Sequence, residues 1–185
     1  MAIGGRSGSG KTHLIERLIR HFGARGLSVA TVKHTHHHDF ELDRPGKDSW
    51  RHRAAGATET LLVSERGYAL LGDLPEPMDW QDILRRMRPV DLLLIEGFGQ
   101  LRDLPRIEVY RSTLGERPLA ADDARYVAIA VPPGDHGETV PGLATLDLDD
   151  TAAIGEFILQ LPLASATLTP RRRGPTTRLA HLHAR

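Results

Sequence analysis

A chain of 185 residues is most simply one domain, long enough to bury about 70% of its unfolded surface. Lys+Arg and Asp+Glu balance at 24 each, so no global field draws the chain toward nucleic acid or a membrane surface. Cysteine is absent, which excludes a disulfide scaffold, a thiolate metal site and a cysteine nucleophile. With no charged-then-apolar leader and no apolar run of about 18 residues, the expectation is a soluble, cytoplasmic protein without a nucleic-acid or membrane partner.

In chain order, Met1-Ala2-Ile3 is all that remains for a first strand, so that strand is very short or the natural start lies upstream. Gly5-Arg6-Ser7-Gly8-Ser9-Gly10-Lys11-Thr12 follows, a complete G-x-x-x-x-G-K-[ST] loop. Each residue type answers a need of a triphosphate. Gly5, Gly8 and Gly10 let the backbone turn so that successive N–H groups face phosphate oxygens. Lys11 reaches the β- and γ-phosphates, and the Thr12 hydroxyl suits Mg²⁺. Leu14, Ile15, Leu18, Ile19 and Phe22 recur at helical spacing, with Gly23 and Gly26 as stop signals. The positive end of that helix falls at the phosphate loop.

Ser28 to Val32 reads as a buried strand, followed by a polar, histidine-rich loop from Lys33 to Arg44. Pro45-Gly46 opens a helix through Ala54, with Lys47 and Asp48 at its start. Arg51 and Arg53 read as a solvated face of that helix. Thr58 to Val63 and Tyr68 to Leu71 form a hairpin across Ser64-Glu65-Arg66-Gly67. Trp80, Ile83, Leu84 and Met87 mark an amphipathic helix. Val90 to Ile95 is nearly all apolar, as a central parallel strand requires. Ile107 to Tyr110 and Tyr126 to Val131 are further strands, and Thr151 to Leu161 is a closing helix. This alternation predicts an α/β fold of P-loop NTPase type, a mostly parallel doubly wound sheet flanked by helices. The domain spans residues 1–161, and the arginine-rich segment 162–185 reads as a flexible basic tail.

Glu96 stands directly after the apolar strand, where a second nucleotide-site acid belongs. Alone it reads equally well as an ordinary polar strand exit; beside a phosphate loop it completes a site. Lys33-His34-Thr35-His36-His37-His38-Asp39 admits three readings. It is a Zn²⁺ or Ni²⁺ cluster, or a loop that brings Asp39 to the γ-phosphate side, or a solvated polar loop. Adjacent histidines diverge in an extended loop, so His36, His37 and His38 do not easily converge on one ion.

Several segments together resemble one family. They are the phosphate loop, Val32-Lys33-His34-Thr35-His36-His37, Asp43-Arg44-Pro45-Gly46-Lys47-Asp48-Ser49, Arg53-Ala54-Ala55-Gly56-Ala57 and Leu94-Ile95-Glu96-Gly97-Phe98. The chain resembles the molybdopterin-guanine dinucleotide biosynthesis adapter proteins, the MobB family, over roughly residues 1–160. The resemblance implies a GTP- and Mg²⁺-binding homodimer with weak GTPase activity. It would assist the MobA-like guanylyltransferase that attaches GMP to molybdopterin. The wider group includes dethiobiotin synthetase and the nickel-insertion GTPases, in which dimerisation often completes the nucleotide sites.

Carried over by position, Gly5, Ser7, Gly8, Ser9, Gly10, Lys11, Thr12 and His13 would hold the nucleotide. Lys11, Asp39 and Glu96 would serve catalysis, and Thr12, Asp39 and Glu96 the metal. Asp135, after the strand ending at Val131, stands where a guanine-reading acid would lie. The usual GTPase N-K-x-D signature is absent, so guanine preference comes from the resemblance alone. No arginine finger is assignable, which suits slow hydrolysis. Two rival readings share the loop: an ATP-dependent small-molecule kinase or ligase, and a metal-delivery GTPase using His34, His36 and His37. The short first strand and the basic tail depart from the family pattern.

Overall fold

A computed structural model describes residues 1–35, 43–74, 79–97, 104–135, 137 and 140–162. Its centre is a six-stranded sheet in the order β2-β5-β1-β6-β7-β8, in which every pairing is parallel. The strands are β1 (Ala2–Gly4), β2 (Val29–Lys33), β5 (Leu92–Glu96), β6 (Arg106–Val109), β7 (Tyr126–Val131) and β8 (Ala144–Asp147). A separate antiparallel hairpin is formed by β3 (Glu59–Val63) and β4 (Tyr68–Gly72). The helices are α1 (Lys11–Ala24), α2 (Asp48–Ala54), α3 (Trp80–Arg86) and α4 (Thr151–Gln160).

The first strand is three residues long, yet it lies in the middle of the sheet. Ala2 and Ile3 pair with Ile95 and Glu96 on one side, and Ala2 to Gly4 pair with Arg106 to Glu108 on the other. The Met1 amino nitrogen donates to Leu93 O at 2.8 Å, and Ile95 N donates to Met1 O at 3.0 Å. Two paired neighbours therefore hold the strand that delivers the phosphate loop, and its length does not leave the loop unsupported.

β5 is buried as its apolar run required, with Leu92, Leu94 and Ile95 in the core. β2 differs from expectation. Among the described residues only β5 pairs with it, so it is an edge strand, partly exposed along its length. Its start is tied by Asp91, whose carboxylate accepts from Ser28 N and Ser28 Oγ at 2.8 and 2.6 Å. Those donors hold the Asp91 carboxyl below its ordinary value.

The core joins the sheet to α1 and α4. Leu14, Ile15, Leu18 and Phe22 pack with Ile3, Leu94, Ile107, Val109, Ile154 and Ile158, whereas Ile19 points outward. A helical stripe of this width is what an apolar face against a sheet needs. α1 closes after Ala24 with Gly26 N on Gly23 O and Leu27 N on Phe22 O, a Schellman arrangement. Arg25 pairs with Glu156 of α4, and Arg17 donates to Leu148 O beyond β8.

Other boundaries moved for local reasons. α2 begins at Asp48, not at Pro45, because Arg44 to Lys47 close a turn first, with Lys47 N on Arg44 O. Ser49 Oγ donates to Asp43 Oδ1 at 2.8 Å, so this segment is a folded turn-and-helix entry. Arg53 is not merely solvated: its Nη2 donates to Asp73 Oδ1 at 2.9 Å, tying α2 to the end of β4. α3 starts where Asp79 accepts from Asp82 N. β8 had no counterpart in the sequence reading. The tail, apart from Pro162, lies outside the described residues.

Candidate nucleotide-binding site

The phosphate loop leaves β1 and runs into α1, with its mouth at the carboxyl ends of β5, β1 and β6. Gly5 has φ 135°, and a Cβ there would stand 2.4 Å from Val109 O and 2.8 Å from Ser9 Oγ. Only glycine permits both the dihedral and the close pass against β6. Ser7 and Gly8 lie exposed at the turn, while Ser9 is fully buried. The Ser9 hydroxyl has no hydrogen-bond partner among the described residues. Gly10 caps α1 without a side-chain bond, so the first-turn N–H groups of Lys11, Thr12 and His13 have no side-chain cap among the described residues.

Lys11 folds back on its own loop, donating to Gly5 O at 3.0 Å and Arg6 O at 2.8 Å. Burial holds its ammonium below the ordinary lysine value; the Glu96 charge opposes this and the Lys33 charge adds to it. Thr12 Oγ1 donates to Glu96 Oε1 at 3.1 Å, across from the end of β5. Lys33 Nζ, from the end of β2, stands 3.6 Å from the same oxygen. Four residues from three elements thus meet at one mouth: two cations, a hydroxyl and a carboxylate.

The exits of β2 and β5 are locked together behind this cluster. His34 N donates to Glu96 O at 2.9 Å. Gly97 has φ 85°, and a Cβ on it would sit 2.9 Å from His34 O. A glycine after the acid is therefore a packing requirement as well as a turn requirement. His36, His37, His38 and Asp39 lie outside the described residues, so the expected roles of Asp39 fall there too. Among the described residues no three histidine or acidic side chains stand together as a metal cluster.

Asp135 lies beyond β7, on the opposite flank. Its carboxylate accepts from Ser112 N at 2.9 Å and from Gly137 N at 3.0 Å. The Ser112 hydrogen bonds, more than the Gly137 bond and the Arg111 charge, hold it below the ordinary aspartate value. What the structure displays for Asp135 is a tie between the exits of β6 and β7.

Sequence reasoning missed Arg111. Its Nε donates to Ser9 O at 2.8 Å, placing a guanidinium against the phosphate loop. A cation shortly after a predicted strand neighbouring the loop was the available signal. Also missed was a buried polar group on β6, opposite Gly4 in the register. Glu108 accepts from Leu119 N and Ala120 N at 2.9 and 2.7 Å, near buried Arg106 and Tyr126.

Among the described residues no helix is long and apolar enough to cross a membrane. Residues 1–132 match the family described as Molybdopterin guanine dinucleotide synthesis protein B, MobB. The molybdopterin-guanine dinucleotide biosynthesis adapter protein of Escherichia coli strain K12 is 36% identical over 167 residues, covering 86% of this chain and 91% of that protein. A crystal structure of molybdopterin-guanine biosynthesis protein B superposes with a TM-score of 0.65 at 28% identity, covering 85% of this chain and 96% of the other. The crystal structure of Bacillus subtilis MobB gives 0.67 at 26% identity, covering 86% and 95%. With the phosphate loop and its strand-end acid carried on the same parallel sheet, the chain belongs to the MobB family, the molybdopterin-guanine dinucleotide biosynthesis adapter proteins.

Proposed function

We propose that this protein binds GTP with Mg²⁺ at the loop Gly5–Thr12 and hydrolyses it slowly. In this reading it acts as an adapter to a MobA-like guanylyltransferase in the cytoplasm. The observation that carries the nucleotide reading is the meeting of Lys11, Thr12 and Glu96 at the mouth of a loop whose N–H groups lack a side-chain cap.

The donor set fits the ligand. Uncapped N–H groups at a helix start suit an anion, and the buried Ser9 hydroxyl lines the same turn. Among the described residues Lys11 donates its hydrogen bonds to two neutral carbonyls, which it can exchange for phosphate oxygens. Thr12 and Glu96 offer a hydroxyl and a carboxylate on adjacent elements, oxygen donors of the kind that Mg²⁺ takes. When bound, Mg²⁺ would neutralise charge that develops on the β- and γ-phosphates. The chain's own part is to fix the polyphosphate, orient it toward Glu96 and keep Lys33 close to that carboxylate. Asp39 is proposed as the water- or metal-positioning group of the loop after β2, and Asp135 as a reader of guanine. The latter role requires Asp135 to exchange one of its backbone donors for the base.

Self-association is part of the proposal. Leu61 pairs with Leu70 and Val63 with Tyr68, so all four lie on one face of the β3–β4 hairpin. That face is open, with Leu61 58% and Val63 72% exposed. An apolar stripe of this kind suits a second copy of the chain.

The test is a calorimetric titration with GTP and ATP, each with and without Mg²⁺, on the wild type and Lys11→Ala. Mg²⁺-dependent binding of GTP that is lost in a folded Lys11→Ala variant supports the reading. Equal affinity in that variant, or a preference for ATP with transfer to an acceptor other than water, counts against it.

A further inference from the structure

Arg111 is the cation that the nucleotide reading above leaves unused. It lies just beyond β6, the neighbour of β1 on the side away from β5, and so flanks the loop opposite Glu96. Its Nε is anchored on Ser9 O at 2.8 Å. The rest of the guanidinium leans over the next residue: a Cβ on Gly10 would stand 3.6 Å from Nη2 and 3.9 Å from Nε.

Among the described residues the terminal nitrogens carry no hydrogen bond. Arg6, Arg17, Arg25, Arg53 and Arg125 each pair with a carboxylate, at Glu116, Asp149, Glu156, Asp73 and Asp123. Arg111 has no such ion pair among the described residues. The Asp135 carboxylate feels the Arg111 charge but is itself occupied by Ser112 N and Gly137 N, so the half-buried guanidinium keeps N–H groups to offer an anion. The segment that carries it is fixed, since Ser112 N donates to the Asp135 carboxylate and Leu114 N to Arg111 O. An arginine held at Nε presents its remaining N–H groups as a planar fork, the geometry that suits phosphate oxygens.

Resting on the proposed nucleotide site, we infer that Arg111 is a ligand of the diphosphate part of the nucleotide. Its fork lies over Ser9 and Gly10, on the flank of the loop opposite the acid that faces the terminal phosphate. It therefore grips the phosphates that remain after hydrolysis and does not act as a finger on the γ-phosphate. The consequence is retention of the diphosphate product, which lengthens the nucleotide-bound state of a slow GTPase.

The experiment is calorimetric titration of the wild type, Arg111→Gln and Arg111→Lys with GTP, GDP, GMP and inorganic pyrophosphate. Thermal unfolding of each variant is followed in parallel. Glutamine keeps a donor for Ser9 O and removes the charge; lysine keeps the charge and removes the fork. The expected result for Arg111→Gln is about tenfold or greater weakening toward GTP, GDP and pyrophosphate alike, as for loss of a charged phosphate contact. GMP should respond little, and the melting temperature should hold. Arg111→Lys should fall between, and it carries the test if the glutamine variant does not fold. Unchanged GDP and pyrophosphate affinity in the folded variants would overturn the inference. Loss of turnover with diphosphate affinity intact would do the same, since it marks a γ-phosphate ligand. A wild type that binds none of the four sinks the nucleotide reading itself and this inference with it.

Discussion

Thr12 Oγ1 donates to Glu96 Oε1 at 3.1 Å, although 84 positions separate the two residues along the chain. Thr12 opens α1 and Glu96 ends β5, so the bond exists only because β1 and β5 are neighbours in parallel register, with Ile3 opposite Glu96. The pair therefore reports on the assembly of the whole candidate site.

If this pair holds the metal, Thr12→Val and Glu96→Gln should each remove the Mg²⁺-dependent part of GTP affinity, about tenfold or more, or ~1.4 kcal/mol. Metal-free binding should change less. Titration with and without Mg²⁺ separates the two, and an unchanged Mg²⁺ increment in both variants would remove them from the metal site.

The close pass of Gly5 against β6 should make Gly5→Ala costly. A φ of 135° is strained for alanine, and the new Cβ would meet Val109 O at 2.4 Å. A loss of about 2 kcal/mol or more is expected from such strain and overlap, read by urea unfolding. Nucleotide affinity should fall with it, because the loop must shift to relieve the contact. A variant as stable as wild type would show that β6 gives way instead.

Glu108 should leave a signature in the pH dependence of stability. Burial pushes its carboxyl above the ordinary glutamate value, partly offset by the Ala120 and Leu119 N–H donors and the Arg6 charge. A carboxyl with a raised folded value binds its proton more tightly when folded. Its contribution is therefore fully present below the ordinary glutamate range and is lost as pH rises through the raised value. Wild type should lose stability relative to Glu108→Gln as pH rises above the ordinary glutamate value of about 4.3. Urea curves for the two proteins at several pH values test this; a difference that is flat, or that grows in favour of wild type, refutes it.

The hairpin face predicts concentration-dependent association. Leu61→Arg and Val63→Arg change side chains that are already exposed, so the fold should tolerate them. Sedimentation velocity should show a wild-type dimer and variant monomers. A monomeric wild type at all accessible concentrations would leave the hairpin to a different partner.

The sequence by itself determined the local parts of the protein. Glycine spacing set the phosphate loop, the 3.6-residue recurrence from Leu14 to Phe22 set α1, and the apolar run before Glu96 set β5. These are short-range patterns in which each residue's neighbours suffice to decide its conformation. What only the tertiary structure decided is adjacency. The sequence does not say that a three-residue β1 lies between β5 and β6, that β2 is an edge strand, or that β8 completes the sheet. Nor does it bring Lys33 to Glu96, or Arg111 to Ser9 across 102 positions. Strand order depends on which buried faces pack best once the whole sheet forms, a long-range choice that no local pattern encodes. The candidate site was legible as a set of residue types, and the pairing of strands made it a place.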